Sequence, residues 1–184
     1  MLRTVHNQSS IENWVSKAAD GDQKAQRHIY DELSGVLYSI CLRYMGNEDD
    51  AKDVFQEGFV KVLDSLKSFR FDGSFEGWAK RVMVNMALTH LRKRKPIADV
   101  EMENSEDVAY DQDVLSKMGA DDLMGLISEL PDGYREVFSL FAIEGYSHKE
   151  IADMLSISEG NSKLRMNRAR KMLQVRVIEL MQVA

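Results

Sequence analysis

The chain has 184 residues, of which 44% are apolar, and 30 acidic side chains outnumber 24 basic ones to give a net charge of −6. This length allows one large or two small domains, and the ordinary apolar fraction indicates a folded protein. The sequence contains no apolar run long enough to span a bilayer and no signal-peptide pattern, so we expect a cytoplasmic protein. The single cysteine, Cys41, excludes an intrachain disulfide and is expected to be a buried, inert thiol.

The polar residues show no arrangement typical of an enzyme. The four histidines and eleven glycines form no metal-ligand spacing, no glycine-rich phosphate loop and no nucleophile motif. We therefore expect no cofactor, no metal site and no catalytic residues. Strand patterns are scarce, whereas helical spacing of apolar residues recurs along the chain, so the predicted fold is all-α.

The first helices form a scaffold that carries an acidic ridge. Apolar residues follow helical spacing from Ile11 to Ala19 and from Ala25 to Tyr44. Asp22 is expected to cap the second helix, and Gly46 is expected to end it. Asn47 is expected to cap a third helix. Its outward side presents four polar residues: Asp50, Asp53, Gln56 and Glu57. The residues alone favour an ordinary solvated surface, with a protein-docking face as the alternative.

Aromatic residues crowd the next segment, from Phe69 to Trp78, which also contains two glycines. Ser74 is expected to cap the helix that follows. Phe69 and Phe71 precede that helix, and exposed aromatic rings beside Arg70 are suited to stacking unpaired bases. A loop held onto the core by its aromatic rings is an equally good interpretation of this segment alone.

The helix after this loop is basic, although the whole chain is acidic. Its cations are Lys80, Arg81, Arg92, Lys93, Arg94 and Lys95. Arg81 and Asn85 are four residues apart and therefore share a face. Pro96 is expected to mark the end of the helix. Such a local cluster indicates a surface for nucleic acid.

A change in charge divides the chain into domains. Residues 97–122 are rich in Asp and Glu and lack clear periodicity, so we predict a flexible acidic linker between helical domains at 1–96 and 123–184. In the second domain, Leu123 to Leu130 and the segment that begins at Pro131 each carry an apolar helical stripe. Together with the next two helices, they predict a four-helix domain.

The last two helices have the pattern of a helix-turn-helix. Ser147 and Glu150 form a capping box, and Ser158 is expected to cap the second helix after a tight turn. An inward stripe on this helix contains Ser162, Met166, Ala169 and Leu173, and its cations are Lys163, Arg165, Arg168, Arg170, Lys171 and Arg176. This pattern favours a helix that reads DNA, with a solvated amphipathic hairpin as the alternative.

These motifs resemble a known family. Residues 130–138, 144–152, 157–160 and 168–170 resemble region four of the extracytoplasmic-function (ECF) sigma factors, and residues 50–57, 78–85 and 91–95 resemble region two. The resemblance implies an alternative sigma factor that binds core RNA polymerase and promoter DNA and is inhibited by an anti-sigma factor. A polymerase-independent helix-turn-helix regulator is the alternative.

The resemblance also implies roles for particular residues. Asp50, Asp53, Gln56 and Glu57 would dock the polymerase, which reverses the interpretation of the ridge as solvated surface. The minus-ten element would be contacted by Phe69, Arg70, Arg81, Asn85, Arg92, Lys93 and Arg94, with Phe69 and Arg70 capturing a flipped base. Lys163, Arg165 and Arg168 would face the minus-thirty-five element in the major groove.

The chain departs from the family pattern at several positions. Asn161 and Ser162 replace the usual Thr-Val pair, and the hydroxyl of Ser162 is expected to bond to the carbonyl of Ser158 if it is buried. Ser156 replaces a turn glycine, Leu164 replaces a small polar residue, and Lys52 replaces an acid in the docking segment.

Overall fold

A computed structural model describes residues 3–94 and 119–183, and in these two stretches every regular element is a helix. The chain forms two compact units, Met1–His90 and Leu91–Ala184. Most of the predicted linker, together with Lys95 and Pro96, lies outside the described residues. Within them, no helix is long and apolar enough to cross a membrane.

The first unit contains α1 (Arg3–Ala19), α2 (Gln23–Met45), α3 (Glu48–Asp64), a short 3-10 turn (Leu66–Ser68) and α4 (Phe75–Arg94), whose last residues extend beyond it. The helix α1 begins earlier than its predicted start at Ile11. The predicted caps are confirmed: Asp22 accepts two backbone N–H groups at the start of α2, Asn47 accepts that of Asp50, and Gly46 ends α2 in the left-handed conformation.

The core of this unit is formed where α1 and α3 pack against α2, and α3 approaches α4 at Gly58. Leu37, Val54, Val62 and Met83 are almost fully buried. Cys41 is also buried, and burial raises the pKa of its thiol to about 12, so the predicted inert thiol is confirmed. Gly58 allows α3 to approach α4, because a Cβ there would lie 2.5 Å from the sulfur of Met83.

The second unit contains α5 (Ala120–Glu129), α6 (Asp132–Phe138), a π-helical turn (Ser139–Ile143), α7 (His148–Leu155) and α8 (Glu159–Val183). The predicted four-helix arrangement is therefore present. Helix α5 begins at Ala120, inside the segment that was expected to be linker. Pro131 is the N-cap of α6, not its first helical residue, because its ψ of 146° is extended.

Helix α8 is the central element of this unit, because α6 and α7 both pack against it. Ile127, Leu140, Ile151 and Leu173 are buried in the resulting core. The buried Arg135 guanidinium donates to the carbonyl of Leu130 at 2.6 Å and to that of Ser128 at 3.1 Å. It therefore satisfies carbonyl groups at the end of α5 that have no partner within the helix.

Candidate nucleic-acid interface

A cleft of about 390 Å³ opens between the loop after α3 and the first turns of α4. Its larger lining side chains are Phe69, Arg70, Trp78 and Arg81, and its smaller ones belong to Ser68, Asp72, Gly73, Ser74 and Gly77. The aromatic surface suits a planar ring, and the two guanidinium groups suit a phosphate or the polar edge of a base. The cleft thus joins the aromatic segment and the basic helix that the sequence identified separately.

The structure buries Phe69, which was expected to be an exposed stacking residue. Its ring is 9% exposed and lies 4.8 Å from Phe71, 5.4 Å from Phe75 and 5.5 Å from Trp78, centroid to centroid. For Phe69, the alternative interpretation of a loop held onto the core by its aromatic rings is therefore confirmed, and the exposed interpretation is wrong. Phe69 packs onto α4 across the loop, a contact that helical periodicity does not reveal. Phe69 lines the floor of the cleft and anchors the loop.

Phe71 is the aromatic residue that the loop exposes. Its side chain is 43% exposed, and its backbone has a φ of 59°, in the left-handed region that only glycine adopts easily. A non-glycine residue in this conformation costs roughly 1–2 kcal/mol, and such strain is concentrated at functional sites. The adjacent Arg70 is also exposed. The loop therefore presents an aromatic ring and a guanidinium group together.

Helix α4 presents a polar stripe next to the cleft. Arg81, Asn85, Thr89 and Lys93 follow one another at four-residue intervals, and all four are exposed. Arg92 is exposed as well, whereas the side chain of Arg94 lies outside the described residues. Arg81 and Asn85 therefore share a face, as the sequence predicted, and Thr89 is an additional member of it.

The acidic ridge on α3 is largely accessible. Asp53, Gln56 and Glu57 are exposed, whereas Asp50 is half-buried and accepts a hydrogen bond from the side-chain amide of Asn47. Asp50 thus contributes to the start of the helix as well as to the surface. An aromatic groove of about 440 Å³, lined in part by Tyr30, Tyr38 and Phe55, reaches the ridge at Gln56.

The helix-turn-helix has the predicted caps. The Ser147 hydroxyl accepts from the backbone N–H of Glu150 while the Glu150 carboxylate accepts from that of Ser147, and the Ser158 hydroxyl accepts from the backbone N–H of Asn161. Ser156 ends α7 with a φ of 56°. This is the position at which the family resemblance places glycine, and the serine carries the strain that glycine would avoid.

Arg165 is buried, so its predicted role in facing DNA is wrong. Arg165 is 1% exposed, and its positive charge lies near Glu136, which is also 1% exposed. Arg165 projects into the unit because it follows Ser162 by three residues and precedes Ala169 by four, and both of these are buried. The guanidinium joins α8 to α6 through the core.

The environment of Glu136 explains why a buried arginine is needed there. Burial, followed by the nearby Asp132 carboxylate, raises the pKa of Glu136 to about 7, while Arg135 and Arg165 act in the opposite direction. Without Arg165, an ionised carboxylate in this position would have much less compensation for the loss of water.

The outward face of α8 contains two of the predicted DNA contacts, the substituted position Leu164 and one residue that the sequence did not identify, Asn167. Lys163 is exposed and Arg168 is half-exposed, as are Leu164 and Asn167 between them. Lys163 pairs with Glu159 at 2.7 Å, a surface ion pair that contributes little to stability and can exchange for a phosphate. Asn167 could have been found from its four-residue spacing from Lys163.

Ser162 makes a different hydrogen bond from the one that was expected. Ser162 is fully buried, and its hydroxyl oxygen lies 2.9 Å from Nδ1 of His148, the first residue of α7. The prediction of a bond to the Ser158 carbonyl was wrong because a side chain from the facing helix reaches the hydroxyl. The buried serine therefore links the two helices of the motif.

Comparisons with known proteins match both units. Residues 29–97 match the family model described as Sigma-70 region 2, and residues 120–173 match Sigma-70, region 4. The chain is 30% identical to ECF RNA polymerase sigma factor SigW of Bacillus subtilis over 92% of this chain and 98% of that protein. It is 33% identical to ECF RNA polymerase sigma factor SigE of Mycolicibacterium smegmatis over 85% of this chain and 64% of that protein.

A solved structure shows the same fold at low sequence identity. It is the sigma factor RpoE in complex with the anti-sigma factor NepR from Bartonella quintana, with a TM-score of 0.50 and 20% identity over 83% of this chain and 96% of that one. The chain belongs to the ECF sigma factors of the sigma-70 family, which confirms the resemblance. It is an alternative sigma factor that directs transcription initiation.

Proposed function

We propose that this sigma factor opens promoter DNA by capturing an unpaired base in the cleft beside α4. The observation that carries this proposal is the cleft itself, in which Arg70, Trp78 and Arg81 surround a space floored by Phe69. A base leaves its stack at a cost of a few kcal/mol, and aromatic contacts worth about 1–3 kcal/mol per base offset that cost. Phe71 does not line the cleft, but it is exposed between Arg70 and Asp72, which do, and it supplies a second stacking surface next to the cleft.

The exposed stripe on α4 extends this site along the strand. Arg81 and Asn85 lie beside the captured base, where an amide can bond to a base edge, and Thr89 adds a hydroxyl on the same face. Arg92, Lys93 and Arg94 hold the adjoining phosphates of the minus-ten element. This division assigns base contacts to the start of the helix and backbone contacts to its end.

The outer face of α8 reads the minus-thirty-five element in the major groove. Lys163 and Arg168 remain in this role, and Asn167 joins them because it lies on the same face and can bond in a bidentate way to adenine. Leu164 offers an apolar contact, such as one to a thymine methyl group. Arg165 does not contact the DNA and contributes to binding only because it fixes the position of α8.

Core RNA polymerase binds the ridge of Asp53, Gln56 and Glu57, with Asp50 at its edge. These exposed acidic and amide groups suit a basic, polar segment of the polymerase, and the aromatic groove beside Gln56 accepts an apolar side chain from the same segment.

An anti-sigma factor inhibits the protein, as one binds the Bartonella quintana sigma factor. We place the protein in the cytoplasm, and we propose that it has no catalytic activity of its own.

Two substitutions separate polymerase binding from strand opening. Glu57→Lys reverses a charge on the ridge and should weaken binding to core polymerase by about tenfold or more, with Glu12→Lys, an equal charge change at an exposed site on α1, as its control. Asn85→Ala should leave polymerase binding intact and slow formation of the open complex.

Polymerase affinity can be measured by fluorescence anisotropy, and opening by permanganate reactivity of unpaired thymines. The assignment is wrong if Glu57→Lys impairs opening with normal polymerase affinity, or if Asn85→Ala impairs both steps equally.

A further inference from the structure

A polar contact between side chains joins the two helices of the helix-turn-helix. The Ser162 hydroxyl is fully buried at the interface, and Nδ1 of His148 lies 2.9 Å from it. The resemblance to the family places an apolar valine at position 162, which could not make such a bond. The contact is therefore a consequence of the serine at this position.

The His148 ring is also fixed by stacking. Its centroid lies 4.4 Å from that of Phe141, and the two planes are inclined by only 17°. Phe141 belongs to the π-helical turn after α6, so three successive elements hold the imidazole in place. The ring is half-exposed, and the bond at Nδ1 leaves Nε2 as the nitrogen available to an outside ligand.

The charged groups around His148 favour an anion. Lys163 and Arg170 on α8 are close enough to disfavour the imidazolium, and Lys149 follows His148 on α7. The Arg170 guanidinium carbon lies 5.8 Å from the centre of the Phe141 ring. Glu159, paired with Lys163, is the opposing carboxylate. Burial, followed by Lys163, lowers the pKa of His148, and Arg170 adds to the effect while Glu159 opposes it.

We propose that His148, held by Ser162, is a pH-dependent contact to a DNA phosphate next to the minus-thirty-five element. In a helix-turn-helix the first helix crosses the phosphate backbone while the second enters the major groove, and His148 begins the first helix. A phosphate there neutralises the surrounding cations and favours the protonated imidazole. DNA binding therefore takes up a proton, and acid strengthens it.

This inference rests on the proposed role of α8 in binding the upstream element, and its test uses the complete holoenzyme. The probe is a fluorescein-labelled promoter duplex. Its promoter is identified by sequencing the transcripts that overproduction of the protein induces. Its affinity is measured at about pH 6 and about pH 8 over a series of salt concentrations, for the unaltered protein and for His148→Gln, since Gln cannot gain a proton in this range. His28→Gln is the matched control, because His28 is also a half-exposed histidine in contact with an aromatic ring, that of Trp14.

Lowering the pH should strengthen binding by the unaltered protein three- to tenfold more than binding by His148→Gln. When the pH is lowered, the slope of log affinity against log salt concentration should become steeper by up to about 0.9 in the unaltered protein but not in His148→Gln. This is the change expected for one added phosphate contact. His28→Gln should retain the full pH response. Ser162→Val should reduce it, because the ring loses its tether.

The inference is overturned if His148→Gln keeps the pH response and salt slope of the unaltered protein while Arg168→Ala still weakens upstream binding. If Arg168→Ala also has no effect, the proposed role of α8 is wrong instead. Thermal unfolding of each variant shows whether a loss of affinity comes from a loss of structure.

Discussion

The two buried arginines of the second unit show how a residue type can mislead when its position is unknown. Arg135 binds carbonyl groups at the end of α5, and Arg165 lies in the core near Glu136. Both are less than a tenth exposed. Neither side chain is available to a phosphate, so only the accessible part of the cationic pattern on α8 belongs to the DNA surface.

Substitution of Arg165 should therefore reduce the stability of the protein, whereas substitution of Arg168 should reduce its affinity for DNA. Arg165→Ala removes one of the two buried arginines that favour the ionised Glu136 carboxylate and should lower the free energy of unfolding by about 1–3 kcal/mol. Arg168→Ala should change stability by less than about 0.5 kcal/mol and weaken binding to the upstream element by about 1–3 kcal/mol. Urea denaturation and duplex binding measure the two effects. If Arg165→Ala had normal stability but no longer bound DNA, Arg165 would have to be counted among the DNA contacts.

The sequence contained a partial signal for Arg165. Positions 162, 165, 169 and 173 follow the three- and four-residue steps of an inward stripe, so Arg165 occupied a core position in the pattern. Its charge argued for the outside, and the decisive fact was the presence of Glu136 on another helix. Local periodicity does not report such a distant partner.

At the scale of elements, the loop between α3 and α4 depends on an anchored aromatic ring beside an exposed one. Phe69 contacts Phe71, Phe75 and Trp78 from a nearly buried position, while Phe71 is strained and accessible. The two rings differ in role although only one residue lies between them.

Truncation of each ring tests this division. Phe69→Ala removes the anchor and should destabilise the protein by about 3–5 kcal/mol, whereas Phe71→Ala removes a ring that packs little and should affect stability much less. In the holoenzyme, Phe71→Ala should slow strand opening by an amount that corresponds to about 1–3 kcal/mol of lost stacking. Circular dichroism and permanganate reactivity provide the measurements. Unchanged opening in Phe71→Ala would exclude this ring from the base-binding site.

Several helix caps were predictable from the sequence because they depend on local chemistry. Asp22, Asn47, Ser147 and Ser158 cap helices as expected, and Gly46 ends one. These signals act over three or four residues of the chain. The contacts of Phe69 and Ser162 involve other elements, and for that reason their surroundings were predicted incorrectly.

At the scale of the molecule, an acidic protein carries two separate surfaces suited to DNA. The cleft and the part of the α4 stripe from Arg81 to Thr89 lie in the first unit, and the outer face of α8 lies in the second. Because the net charge is −6, the free chain should bind DNA weakly, and the polymerase supplies the remaining affinity. In the proposed function, the acidic ridge attaches the basic surfaces to the polymerase and so compensates for their weak binding to free DNA.

Promoter-specific transcription by purified core RNA polymerase, with and without the full chain, tests this account most directly. With the chain present, initiation should occur at discrete genomic promoters, with permanganate-reactive thymines at the minus-ten element, while the chain alone should show little selective binding to the same DNA. Absence of stimulation on every genomic template, combined with tight sequence-selective binding by the chain alone, would contradict the account.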